Sequence, residues 1–114
     1  MILLDLFSGY GGFHKGLCAA GFKFSHVYFS EIDKHAIANY TYNYETAEHI
    51  GSVEHILESG IKRPDIITFG SPCQDFSIAG KRHGLAGERS SLIEYALTAI
   101  AHSRPTVFIW ENVK

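Results

Sequence analysis

The chain has 114 residues, 46% hydrophobic and 19% charged, with a formal net charge of −2. That length supports one domain with a real core, and the composition is ordinary for a globular protein. The charge balance does not mark a nucleic-acid-binding surface, and no apolar run approaches the ~20 residues of a membrane-spanning helix.

No basic segment leads into an apolar one at the start, so no secretory leader is expected. The two cysteines, Cys18 and Cys73, lie in segments of different type. They read as free thiols in a reducing, cytoplasmic compartment rather than as a stapled scaffold. The seven histidines are scattered without HxxxH spacing and there is no CxxC, so no metal site is expected.

Residues 2–7 (ILLDLF) form an apolar run consistent with a buried strand. Gly9, Gly11 and Gly12 follow, and then Phe13, Leu17 and Ala20 recur at helical spacing, with Gly21 as a natural stop. Cys18, beside Leu17 on this helix, reads as core filling. Residues 24–30 form a second strand. Asp33 caps a helix with Ile37, Tyr40 and Tyr44 on one face, although Tyr40–Tyr44 also alternates like a strand. Residues 49–53 are a weak strand, and Val53, Ile56 and Leu57 predict a helical turn that stops at Gly60. Asp65 to Phe69 is the fourth strand. Residues 70–89, rich in glycine, read as a long loop. Ser91 and Glu94 form a capping box that opens a helix with Leu92, Ile93, Ala96, Leu97 and Ile100 as its stripe, and Arg104-Pro105 ends it. Thr106 to Trp110 is the fifth strand.

Short apolar strands alternating with amphipathic helices predict an α/β fold, a parallel sheet with helices on both faces. Ligands of such sheets bind beyond the carboxyl ends of the strands. The chemically distinctive residues sit at those ends: the glycines after strand one, Glu31 after strand two, Ser52 near strand three, Cys73 after strand four and Glu111 at strand five. The Ser8–Gly12 loop lets backbone approach a ligand at a helix N-terminus, although its spacing matches neither GxGxxG nor a P-loop. Glu31, about twenty residues past that loop, is placed to accept from ribose hydroxyls. Cys73, after Pro72 in a loop at a strand end, reads as a nucleophile rather than a structural thiol. Glu111, behind Phe108-Ile109-Trp110, is expected to be part-buried with a raised pKa suited to proton transfer. If strands four and five are neighbours, their axes lie roughly 4.8 Å apart and both ends can act on one small ring.

Three segments carry a resemblance. DLFSGYGGF (Asp5–Phe13), GSPCQDFS (Gly70–Ser77) and ENV (Glu111–Val113) resemble the first, fourth and sixth motifs of the cytosine C5 DNA methyltransferases, in the same order. SEID (Ser30–Asp33) and GERSSLIEYAL (Gly87–Leu97) are similar to the second and fifth. The resemblance covers essentially the whole chain.

It implies a Rossmann-like S-adenosylmethionine-dependent methyltransferase fold, truncated after the fifth strand, with residues 1–114 as one partial catalytic domain. It implies S-adenosyl-L-methionine as cofactor, held by Phe7, Gly9, Tyr10, Gly12 and Glu31, with Ile32, Pro72 and Leu92 as apolar contacts. It implies a flipped cytosine in double-stranded DNA as substrate, Cys73 attacking C6 and Glu111 holding N3 and N4, with Asn112 beside it. Gln74–Glu88 would be a mobile loop whose Lys81 and Arg82 meet phosphates. A bacterial or phage setting, commonly restriction-modification, goes with such enzymes.

Two departures stand out. The family's third motif usually carries an Asp after a Gly; here Gly51 is followed by Ser52, which weakens or replaces the adenine contact. Family members also continue, with an Arg-bearing motif, a target-recognition region and a returning helix. The chain is therefore expected to be inactive alone and to need a second chain or a C-terminal segment. Rival readings are a transfer-RNA cytosine C5 methyltransferase, a non-catalytic cofactor-binding or assembly module, and an unrelated thiol enzyme, which lacks an evident base near Cys73.

Overall fold

The computed structural model describes residues 1–70 and 82–111 (backbone alone for residues 57 and 82–92). Its elements are β1 (Ile2–Leu6), α1 (Gly12–Ala19), β2 (His26–Ser30), α2 (Lys34–Asn43), β3 (Glu48–His49), a 3-10 helix (Val53–Glu58), β4 (Ile66–Gly70), α3 (Arg82–Ser103) and β5 (Val107–Glu111). Among the described residues the strands form one sheet in the order β3-β2-β1-β4-β5, with every pairing parallel. The α/β expectation and the adjacency of strands four and five are both borne out. No helix among the described residues is long and apolar enough to cross a membrane.

Alternation along the strands builds two apolar layers. Leu4, Leu6, Tyr28, Ile67 and Phe69 pack with Val53, Ile56, Ala96 and Ala99 beneath the 3-10 helix and α3. Leu3, Val27 and Ile66 pack on the other face with Leu17 and Phe24. Local signals set the helix ends. Gly11, the N-cap of α1, takes the left-handed conformation with φ 88°. At the other end the Gly21 amide donates to Cys18 O and the Phe22 amide to Leu17 O, the pattern that ends a helix at a left-handed glycine. Asp33 caps α2 by accepting from the Ala36 amide at 2.9 Å.

Several expectations are corrected. Helix α3 starts at Arg82, so the described end of the 70–89 loop is helical, and Ser91 and Glu94 lie inside a helix rather than in a capping box. Leu85, Ala86, Glu88 and Arg89 favour helix enough to absorb Gly84 and Gly87, each about 1 kcal/mol poorer than Ala. Of its expected stripe Ala96 is buried and Leu97 is exposed, and Ala99, outside that stripe, is buried as well. Strand three shrinks to two residues. Cys18 is exposed, not core filling, because the buried side chain of α1 is His14.

Candidate functional site

The strand order reverses at β1. From there the chain runs out to β2 and β3, then returns to place β4 and β5 on the other side. The crevice beyond the carboxyl ends of β1 and β4 is therefore the ligand position of such a sheet. Those ends align: Leu6 is opposite both Ser30 and Phe69, and Phe69 is opposite Trp110.

Beyond Leu6 the backbone enters a left-handed turn, with φ 53° at Phe7, 56° at Gly9 and 88° at Gly11. The Ser8 amide donates to Ser30 O at 3.1 Å and the Gly11 amide to Ser8 O at 3.0 Å. Gly11 is needed twice over, because a Cβ there would sit 3.1 Å from Tyr40 Cε2 as well as demanding positive φ. Gly9 and Gly12 are different: among the described residues a Cβ on either would meet nothing within 4 Å, so none of them crowds the turn there. Tyr10, in the same turn, is exposed.

Glu31 is tied to this turn. Its Oε1 accepts from the Gly9 amide at 2.8 Å, and its Oε2 accepts from the Ile32 and Asp33 amides at 3.0 Å. The residue is held from behind, since its amide donates to Gly51 O and its carbonyl accepts from His49 Nε2 at 2.8 Å. Ile32 stands exposed beside it. Ser52 caps the 3-10 helix, its Oγ accepting from the Glu54 amide at 3.3 Å.

Glu111 ends β5 opposite Gly70, with Oε1 3.9 Å from where a Cβ on Gly70 would sit. The part-buried carboxylate expected here is corrected: β5 is exposed along most of its length, Glu111 included. A strand buries its ends only where something packs on its faces. Pro72, Cys73, Lys81 and Asn112 lie outside the described residues, as does the loop from Gln74 as far as Lys81. Arg82 and Leu92 belong to α3 through their backbone alone.

The structure adds residues that the motif reading missed. Asp5, in mid-strand, is fully buried. Its Oδ1 accepts from Thr68 Oγ1 at 2.8 Å and its Oδ2 from the Tyr40 hydroxyl at 3.1 Å. Burial raises its pKa to about 7; the two hydrogen bonds resist that rise and the Glu31 charge adds to it. Tyr40 is pushed far above the usual tyrosine range by burial and then by the Asp5 charge. His14 Nδ1 lies 3.0 Å from the Tyr40 hydroxyl, and burial lowers its pKa. A charged residue inside an apolar strand was the visible signal for Asp5; its partners, distant in sequence, gave none.

Do these residues suit a nucleoside-bearing cofactor? The turn is open above Gly9 and Gly12, and an acidic residue is fixed beside it. In addition, Ser8 Oγ is buried without a hydrogen-bond partner among the described residues. Such an orphan costs about 1–3 kcal/mol unless something pairs with it. The residues fit the group. Among the described residues no cluster of three or more His, Cys, Asp or Glu side chains is placed to hold a metal.

Comparison with known proteins bears on this directly. The sequence model described as C-5 cytosine-specific DNA methylase matches residues 1–114. The chain is similar to the orphan methyltransferase M.Rho11sI of Bacillus phage rho11s, 37% identical over 98% of this chain and 23% of that protein. It is similar to the type II methyltransferase M.BsuFI of Bacillus subtilis, 39% identical over 100% of the chain and 27% of that protein. It is also similar to the type II methyltransferase M.HaeII of Haemophilus aegyptius, 40% identical over 97% of the chain and 34% of that protein. The chain thus spans about a quarter to a third of the length of these relatives.

Proposed function

Because the chain belongs to the C-5 cytosine-specific DNA methylase family, we propose that residues 1–114 are the cofactor-binding and nucleophile-bearing part of an enzyme that methylates C5 of cytosine in double-stranded DNA. The observation that carries this reading is the open glycine turn fastened to Glu31 at the carboxyl ends of β1 and β2.

S-adenosyl-L-methionine, when bound, supplies an electrophilic methyl group. Phe7, Gly9, Tyr10 and Gly12 would line its site, Ile32, Pro72 and Leu92 would give apolar contact, and Ser52 would stand where the family's third motif contacts the adenine. Glu31 still has acceptor capacity on Oε1 beyond the Gly9 amide, which suits a ribose hydroxyl.

On the substrate side, the Cys73 thiolate adds to C6 of an extruded cytosine, forming an S–C6 bond and breaking the C5=C6 double bond. Glu111, with Asn112 beside it, holds the N3 and N4 edge and donates a proton to N3, so the electron pair gathers at C5 rather than on the ring nitrogens. Once C5 carries the methyl group, the N3 proton returns to Glu111 and the C5 proton leaves to a base. The C5=C6 bond re-forms as the S–C6 bond breaks, and the thiolate departs. Lys81 and Arg82 are proposed to meet DNA phosphates. Target recognition falls to a further segment or a second chain, so this chain alone is expected to transfer little or no methyl.

Calorimetric titration with S-adenosylhomocysteine tests the reading. Saturable one-to-one binding that Glu31→Ala abolishes is the expected result, and no binding at millimolar ligand would overturn a preformed site. In a preparation that also supplies the remaining family segments, Cys73→Ala should abolish transfer of labelled methyl to duplex DNA.

A further inference from the structure

The side chain that touches the most parts of the candidate site belongs to none of its motifs. Tyr40 comes from the middle of α2 and is wholly buried. Its ring stacks on Phe29 of β2, centroids 4.0 Å apart and 12° from parallel. The ring edge lies under Gly11, where a Cβ would be 3.1 Å from Cε2 and 3.2 Å from Cδ2. Its hydroxyl donates to Asp5 of β1 and lies 3.0 Å from His14 Nδ1 of α1. Asp5 in turn accepts from Thr68 of β4. One chain, His14–Tyr40–Asp5–Thr68, therefore joins both helices and both strands around the turn.

We propose that Tyr40 is a positioning residue for the cofactor turn: its ring supports Gly11, and its hydroxyl locks α1 and α2 to β1, so that the shape of the turn follows the direction of this hydrogen-bond chain. The inference rests on the cofactor reading above.

The chain has two directions. The Tyr40 hydroxyl carries one hydrogen. With Asp5 ionised, Tyr40 donates to Asp5 and must accept from His14, which fixes the neutral imidazole with its proton on Nδ1. With Asp5 protonated, the carboxyl donates to Tyr40, Tyr40 donates to His14 Nδ1, and the imidazole carries its proton on Nε2. The protons balance: one moves from Tyr40 to Asp5, one from His14 Nδ1 to Tyr40, and one enters at Nε2 from solvent. His14 is among the residues lining a groove of about 550 Å³. The titratable groups that act on the chain are Glu31 after β2, which acts on Asp5, and Tyr44, the C-cap of α2, with Cys18 of α1, which act on Tyr40. Burial brings Asp5 to about 7, so the reversal falls near neutral pH.

Nuclear magnetic resonance of the free chain decides it. As pH falls through about 7, His14 should change from the Nδ1-protonated to the Nε2-protonated tautomer. The Gly11 amide should shift with the same midpoint. Asp5→Asn should hold the neutral His14 ring in the second form and flatten the Gly11 titration near pH 7. Tyr40→Phe, which keeps the ring, should separate the Gly11 amide from Asp5. It should also weaken S-adenosylhomocysteine binding roughly tenfold, with the far-ultraviolet dichroism retained. A Gly11 amide that ignores Asp5, or a Tyr40→Phe variant with unchanged affinity and pH profile, overturns the proposal. If the wild-type chain binds no S-adenosylhomocysteine, the cofactor reading fails by itself, and the tautomer and amide titrations still decide the role of Tyr40.

Discussion

On the β1–β2 side of the sheet, the polar groups at the strand ends are mostly engaged; on the β4–β5 side, few are. Glu31 accepts from three backbone amides, and Asp5 is enclosed by Tyr40 and Thr68. On β5, by contrast, Val107, Phe108 and Trp110 are all about half exposed, and Glu111 stands in the open. The first side holds its geometry with the residues described. The second presents a strand whose faces are uncovered among those residues. In the proposed division of labour, cofactor binding is the more self-contained function, and the placement of the Glu111 carboxylate depends more on what packs beside β5.

The sharpest test sets one substitution against itself. Phe29 is fully buried, stacked on Tyr40 and in tilted contact with His49. Phe29→Ala should cost about 3–5 kcal/mol. Phe108 is 52% exposed. Phe108→Ala should cost only about 1 kcal/mol, since half its area was never taken from water. Urea midpoints of the two variants measure the difference, and equal losses would erase the contrast between the two sides.

A second variant acts inside the rigid side. Gly11→Ala adds a methyl group where φ is 88° and Tyr40 is 3.1 Å away. Backbone strain and crowding together should cost about 1–3 kcal/mol. Affinity for S-adenosylhomocysteine should fall with it. Gly12→Ala, whose added Cβ meets nothing within 4 Å among the described residues, should leave stability nearly unchanged while still weakening binding. A Gly12→Ala variant that binds normally would mean that the space above the turn is not used.

These differences mark where the sequence was legible. Short apolar strands and the stops between them announced the parallel sheet. The glycine turn and Glu31 announced themselves by position, because a strand end in such a fold is a functional address. Whether a face is covered, though, depends on neighbours in space. Cys18 sits next to Leu17 in sequence, yet one helical step turns it out of the core. Glu111 follows three apolar residues, yet the described residues leave Phe108, Trp110 and Glu111 itself exposed. Gly84 and Gly87 suggested loop, but the helix formers around them prevail. Asp5 offered a signal, a charge in an apolar run, that the sequence reading passed over, while Tyr40 is 35 residues away and could only be found by folding the chain.

The buried carboxylate predicts a pH dependence. The folded pKa of Asp5 is raised to about 7 from 3.8, so the native state holds this proton more tightly than the unfolded state. The contribution of Asp5 to stability is then fully present below about 3.8, declines as pH rises, and is lost above about 7. His14 acts in the opposite sense: its lowered pKa favours the folded state as pH rises towards 6.5. Comparing wild type with Asp5→Asn across pH isolates the pH dependence that needs the Asp5 carboxyl, its coupling to His14 included. The stability of wild type relative to the variant should fall between about 4 and about 7 and then level off. A constant difference would mean that Asp5 is not held protonated by burial.

The smallest effect concerns Ser52, where the family's third motif usually has an acidic residue. Ser52 Oγ accepts a long hydrogen bond from the Glu54 amide, so its hydroxyl hydrogen is not needed by the cap. Ser52→Asp should preserve the cap, because Asp serves about as well as Ser at that position. It also adds a carboxylate oxygen able to accept from the adenine amino group. One added hydrogen bond is worth about 1 kcal/mol net, so binding of S-adenosylhomocysteine should tighten roughly fivefold. The nearby Glu54 charge reduces the gain, and added salt should restore part of it by screening. Adenosine should show the same gain as the full ligand, because the amino group belongs to the base. Tightening for both would place the base near Ser52 and identify the missing carboxylate as a loss of affinity rather than of ligand identity. A gain for neither would put the adenine elsewhere along the turn.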